Sequence, residues 1–285
     1  MEAAAARQAM AAAISTASAL DLEVDDAVVL SDSNRLVVRL TPCDIVARVT
    51  PMSHFASAER EAELVKQLAQ TDSPVAALEA RVEPRVFVRD GFKISMWTYF
   101  ETMPFRALPP AEYAQAIECL HAGLRRLDVT TPHVMDRVAA IQRDVASPDV
   151  TPDLGDADRA LLTNTLNDLR QSIVSRRASE QLLHGEPHPW NVLDTKNGPL
   201  FIDFENTARG PVEYDIAWLP NEVGERYPNA DEDLVGECRG VVLAIIATHR
   251  LSRDDRHPSG RQSGLAFLDA LRDGPPWPAL DDVAW

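Results

Sequence analysis

"LLHGEPHPWNVL", residues 182–193, holds two histidines, one acid, two prolines, a tryptophan and an asparagine in twelve positions. Most of these residue types form regular helix or strand poorly, so the stretch reads as a shaped loop between apolar flanks. Histidine and acid at short spacing serve several chemistries. A helical HExxH zinc site needs its histidines one turn apart. His184 and His188 have that spacing, but Pro187 and Pro189 block the helix and the glutamate is misplaced. A zinc deaminase uses H-x-E, which "HGE" matches, but no P-C-x-x-C follows. Both metal readings fail on the residues themselves.

A third pattern fits. Catalytic loops that serve phosphoryl transfer run His-x-Asp-x-x-x-x-Asn, in which the acid orients the acceptor hydroxyl and the asparagine holds Mg²⁺. His184, Glu186 and Asn191 occupy those positions. A second oxygen ligand is then needed shortly downstream, because a hard cation bridging phosphates is gripped by oxygens. Asp203, in "LFIDFE" and twelve residues after Asn191, supplies it. Taken singly, His184 is a core histidine, Asn191 a turn cap and Asp203 a strand end. In order and in register they point to a phosphotransferase.

Upstream, "AVVL", "RLVVRL" and "DIVARV" alternate like strands between the turn-like "SDSN" and "TPCD". A helix is predicted in "SAEREAELVKQLAQ", with Ala58, Ala62, Val65 and Ala69 at helical spacing. "RVFVRD" and "KISMWTYF" meet at Asp90–Gly91, a strong hairpin signal. Residues 27–100 thus read as a five-stranded antiparallel sheet with one helix inserted after the third strand. Beyond "ETMPFRALPP" the chain turns helical, over 111–128, 156–177 and 232–250. The fold class is α+β, with a sheet-rich lobe over 1–100 and a mainly helical lobe over 101–285, joined near 98–106.

The formal net charge of −16 argues against nucleic acid or an anionic membrane as partner. It suits a cationic small substrate, although acidic surfaces also serve solubility. Cys43, Cys119 and Cys238 are odd in number, far apart and without CxxC, so buried thiols in a reducing compartment are expected. The alanine-rich opening carries Glu2, Arg7 and Gln8 and reads as an amphipathic helix outside the first lobe, not a signal or membrane span. A cytoplasmic protein, monomer or homodimer, is expected.

"HGEPHPWNVL" and "IDFENTARGPVEYDIA" resemble the "HGDxHPGNVL" and "IDWxxAxxGPxxYDLA" segments of the aminoglycoside phosphotransferase family, within the protein-kinase-like superfamily that includes choline kinases. The resemblance runs from about residue 27 to 250. It implies a two-lobed kinase fold with ATP, or GTP, and Mg²⁺ at the cleft, and transfer of the γ-phosphate to a hydroxyl. Glu186 falls on the catalytic aspartate, and Asn191 and Asp203 on the Mg²⁺ ligands. Asp215 falls on an acid that braces the loop, with His184 and His188 as further supports. Ser33 and Asn34 would lie over the phosphates, and backbone groups of Thr98, Tyr99 and Phe100 would meet the adenine.

The superfamily pairs a third-strand lysine with a helix glutamate. None of the three lysines, Lys66, Lys93 and Lys196, lies on "DIVARV", which leaves Arg48 as the cation there. Glu61 shares the apolar helix face of Ala58, Val65 and Leu68, where an acid is costly unless paired, so Arg48–Glu61 is the expected pair. Two further departures are Trp190 in place of the family glycine and Glu186, one methylene longer than aspartate. The leading expectation is an ATP- and Mg²⁺-dependent kinase of a cationic acceptor such as an aminoglycoside or other basic antibiotic. The alternatives are a metabolite kinase for an amino alcohol, sugar or thiosugar, and a nucleotide-binding pseudokinase.

Overall fold

Alternation along the strands decides the first layer. In the computed structural model, which describes residues 1, 3–32, 35–52, 57–103 and 108–283, the chain divides into two compact units. The first comprises Met1–Leu108 and Val192–Asn206, and the second Pro109–Asn191 and Thr207–Trp285.

In the first unit, α1 (Ala3–Ser18) precedes β1 (Val24–Asp32), β2 (Leu36–Pro42) and β3 (Ile45–Pro51). Then come α2 (Ser57–Leu68), β4 (Phe87–Arg89) and β5 (Phe92–Thr98). The sheet order is β1-β2-β3-β5-β4, antiparallel throughout, with the helix inserted after the third strand. Leu36, Val38, Leu40, Ile45, Ala47 and Val49 bury one sheet face completely. Ala9, Ala12, Ala13 and Ala17 of α1 pack on that face, so this helix is a core element whose small side chains meet the sheet. Period-two alternation sends Arg48 to the opposite face, where α2 supplies its partner. Asp90 and Gly91 both take positive φ, 50° and 81°, as the two-residue hairpin turn requires.

The returning segment forms a hairpin of β7 (Val192–Thr195) and β8 (Gly198–Phe201). It is tied in by Phe201 N–H to Pro74 O (2.8 Å), Ala76 N–H to Phe201 O (3.0 Å) and Met103 N–H to Asp194 O (2.8 Å). These bonds carry Asp203 to α2.

The second unit contains α3 (Pro110–Leu124), α4 (Val134–Ala146), α5 (Asp156–Arg176), the short α6 (Val212–Ile216) and α7 (Asn221–Gly224), α8 (Glu232–Arg250) and α9 (Gly260–Asp273). Helix α8 is buried almost all round, through Leu234, Cys238, Val241, Val242, Leu243, Ala244 and Ile245, which makes it the central helix. Sequence periodicity yields α3, α5 and α8 but not α4 or α9. Helix α4 starts on His133, whose Nδ1 accepts from Met135 N–H while Asp136 accepts from His133 N–H, and histidine is no usual start signal. Among the cysteines only Cys238 is buried. Cys43 is half-buried and Cys119 is exposed on the solvent side of α3, contrary to the expectation of three buried thiols. Among the described residues no helix is long and apolar enough to cross a membrane.

Candidate active site

Strand β6 (Glu180–Leu183) pairs antiparallel with β9 (Ala208–Pro211), and the short helix α6 (Val212–Ile216) follows at once. This pairing sets the start of the 184–191 loop beside Asp215. The fully buried Asp215 carboxylate accepts from His184 N–H and Gly185 N–H, each at 2.8 Å, and lies 2.9 Å from His121 Nε2. On its other side the His121 ring lies with Nδ1 2.8 Å from the Tyr227 hydroxyl. Gly185 has φ 96°, a conformation open to glycine, which lets two consecutive N–H groups converge on one carboxylate.

The rest of the loop is held by its own polar atoms. Buried His184 accepts at Nδ1 from Glu186 N–H (3.3 Å), and the Asn191 amide nitrogen donates to Glu186 O (3.0 Å). That contact engages the amide nitrogen, and Oδ1 is the amide's acceptor atom. Tyr113 donates to Pro187 O from α3. His188 packs edge-on to Trp190 and tilted against Trp218, both at 5.8 Å between ring centroids. Trp190 is itself 59% exposed, so its bulk points outward. Glu186 Oε1 accepts from Arg137 Nη2 on α4. Burial works against charge on Arg137, but Tyr214 and Glu186 outweigh it and hold the guanidinium protonated. Burial in turn pushes the Tyr214 hydroxyl up to about 12.

The first unit carries a second polar cluster. Arg48 Nη1 meets Glu61 Oε1 at 2.6 Å, the pair expected from the sequence, and Glu61 Oε1 also accepts from Phe204 N–H at 3.0 Å. Glu61 is 3% exposed, which such partners make tolerable. Asp203 lies at φ 70°, an uncommon region for a residue with a side chain and one that concentrates at functional sites. Its carboxylate accepts from Arg35 Nη2 and lies 3.6 Å from Arg48 Nη2. Arg35 also approaches Glu205 (3.4 Å) and Glu61 (3.7 Å). Burial works against its charge, yet Asp203, Glu205 and Glu61 together raise its pKa. Glu205 titrates above the usual carboxylate range, chiefly through burial, with Arg35 opposing.

The donor chemistry fits a hard cation. Asp203 offers carboxylate oxygen in the first unit and Asn191 amide oxygen in the second. Mg²⁺ characteristically takes one or two such protein ligands beside phosphates and water. Among the described residues no three of His, Cys, Asp or Glu gather into a cage of their own.

Of the other expected residues, Ser33 and Asn34 lie outside the described ones. Thr98 ends β5, and its N–H is committed to Ala77 O at 3.0 Å. The Tyr99 ring carries the Arg39 guanidinium 3.9 Å from its centroid, and Phe100 follows it past the strand end. Lys93 pairs with Glu59 at 2.5 Å, on a helix face away from Glu61. Sequence reading did not single out Arg35, Arg137, Glu205, Tyr113 or His121. Arg137 was detectable, lying three residues from Val134 and four from Ile141 among the buried positions of α4.

The phosphotransferase enzyme family matches residues 25–272 of this sequence. The chain belongs to the aminoglycoside phosphotransferase family. As a member it is an enzyme that transfers a phosphoryl group to an alcohol acceptor. Solved structures share the fold. An amicoumacin kinase in complex with AMP-PNP, Ca²⁺ and Ami has a TM-score of 0.70 at 12% identity, over 93% of this chain and 94% of that one. The GDP complex of wild-type aminoglycoside 2'-phosphotransferase-IIIa gives 0.64 at 16% identity, over 89% and 94%. A protein from Thermobifida fusca described as a candidate fructosamine-3-kinase gives 0.62 at 16% identity, over 92% and 98%. No curated protein sequence matches this phosphotransferase.

Proposed function

We propose that this phosphotransferase moves the γ-phosphate of ATP or GTP, with Mg²⁺, to a hydroxyl of a cationic small molecule such as an aminoglycoside or other basic antibiotic. The observation that carries the reading is the 184–191 loop, fixed on buried Asp215 and presenting Glu186 and Asn191 in the order that phosphoryl transfer uses. When bound, Mg²⁺ supplies charge neutralisation at the phosphates. Asn191 and Asp203 are its proposed ligands.

Glu186 accepts a hydrogen bond from the acceptor hydroxyl and takes its proton. The hydroxyl oxygen bonds to the γ-phosphorus as the bond to the β–γ bridging oxygen breaks, and the nucleoside diphosphate leaves. Arg137 holds the Glu186 carboxylate in place, and Arg48 with Glu61 supports the nucleotide side. Phosphoryl transfer depends mainly on positioning and charge stabilisation, and the glutamate retains the carboxylate that the role needs.

A cationic acceptor is supported by the net charge of −16. The acid-rich segment after Asn229 does not add to it, because Asp231 and Glu237 are taken up by Arg176 of α5. A metabolite kinase is the second reading, since a sugar-amine kinase is among the described functions of chains with this fold. The test is nucleotide consumption, with ATP and with GTP, across a panel of aminoglycosides, other basic antibiotics, amino alcohols and sugars. Acceptor-dependent phosphate transfer confirmed by product mass supports the reading. Nucleotide binding without turnover on any acceptor would leave a pseudokinase instead.

A further inference from the structure

Arg35 is the first described residue after Ser33 and Asn34, the two positions that the family resemblance sets over the phosphates. Its side chain is 14% exposed, and its ion-pair partners among the described residues are Asp203, Glu205 and Glu61. Arg48 shares the cluster but differs in attachment. Its direct contact is Glu61 at 2.6 Å, with Asp203 at 3.6 Å and the Trp97 ring 5.0 Å away. Arg35 makes its direct contact with Asp203, the proposed metal ligand, and reaches Glu61 only at 3.7 Å.

Charge bookkeeping then constrains what this cluster can bind. Among the described residues, the ion pairs of this cluster set Arg35 and Arg48 against Glu61, Asp203 and Glu205, two positive charges against three negative ones, a formal sum of −1. A divalent cation on Asp203 changes the sum to +1 and competes with Arg35 for the same carboxylate. Two cations on one oxygen repel strongly where water is scarce. A polyphosphate removes the excess, and a guanidinium fork matches phosphate oxygens in geometry as well as charge.

We propose that Arg35 is a nucleotide-binding residue that exchanges the Asp203 carboxylate for a phosphate of the arriving metal–nucleotide. Arg48 stays on Glu61 throughout. The inference rests on the kinase reading of Asp203. It makes Arg35 a competitor of metal alone and a partner of metal with nucleotide, two effects of opposite sign from one side chain. Loss of fold or of general packing cannot imitate that pattern.

The test compares the parent with Arg35→Met and Arg35→Lys by direct binding, with no acceptor present. Mn²⁺ alone is followed by electron paramagnetic resonance, and Mg-ATP and AMP by calorimetry. Arg35→Met is expected to bind Mn²⁺ more tightly and Mg-ATP more weakly, each by about 10-fold, the scale of a charge-assisted contact, with AMP affinity unchanged. Arg35→Lys, which keeps charge but lacks the fork, falls between and covers the case of a poorly folded methionine variant. Unchanged Mg-ATP or Mn²⁺ affinity in both variants overturns the inference, as does a loss of AMP affinity equal to that of Mg-ATP. A parent that binds neither Mg-ATP nor Mg-GTP removes the kinase reading and this inference together. A parent that binds one of them while both variants match it removes the inference alone.

Discussion

Arg137 of α4 donates through Nη2 to Oε1 of Glu186, with the Trp218 ring centroid 5.6 Å from the guanidinium carbon. The pair gives the unusual glutamate a physical reason. A carboxylate one methylene longer than aspartate has more rotamers to lose, and a half-buried cation on a helix restricts them.

Glu186→Gln keeps size but loses the charge and the capacity to take a proton. Turnover is expected to fall by about 10²–10⁴-fold, the range for a positioned acid–base group. Glu186→Asp keeps the carboxylate and gives up reach, including part of the Arg137 contact, and so falls less than Glu186→Gln. Steady-state kinetics on an identified acceptor checks the order. Equal turnover of parent and glutamine variant would mean that Glu186 is not the proton acceptor.

Asp203→Ala is expected to abolish Mg²⁺-dependent nucleotide binding while circular dichroism stays that of the parent. Calorimetric titration with and without Mg²⁺ reads the effect. Undiminished Mg-nucleotide affinity would remove Asp203 from the metal site.

Arg48 and Glu61 touch at 2.6 Å, so their substitutions must not add. A double-mutant cycle on nucleotide affinity with Arg48→Met and Glu61→Gln is expected to give a coupling of roughly 0.5–3 kcal/mol. Glu61→Gln alone costs more than Arg48→Met alone, because Glu61 also accepts from Phe204 N–H and faces Arg35. The reverse order, or strict additivity, contradicts the arrangement.

Asp215→Ala leaves His184 N–H, Gly185 N–H and His121 buried without their acceptor. Breaking a fully buried charged hub costs about 3–5 kcal/mol. Thermal unfolding followed by calorimetry should show a clear drop in the midpoint. Activity should fall with it even where the protein remains folded, since the loop loses its anchor.

Burial pushes the Cys238 thiol well above its usual range, so it stays protonated and unreactive in the native protein at neutral pH. A thiol reagent is expected to label exposed Cys119 first and Cys238 only after denaturation, read by mass spectrometry of digests. Fast native labelling of Cys238 would show that α8 opens locally.

The sequence by itself determined the sheet and the order of the site. Alternation along "RLVVRL" and "DIVARV" can bury only one face against α1, so the buried face and the turn of Arg48 to the opposite one followed from local chemistry. Asp90–Gly91 fixed its hairpin through backbone conformation alone. Glu61 was legible as a paired acid because helical spacing put it among apolar neighbours. Three things required the tertiary structure. The β7–β8 segment joins the first unit through bonds to residues 74, 76 and 103, which nothing near residue 200 in the chain encodes. Arg35 reaches Asp203 across 168 positions, and Arg137 reaches Glu186 across 49. Local propensity and periodicity extend over a few residues, whereas a charged side chain buried by folding is satisfied by whichever opposite charge the packing brings to it.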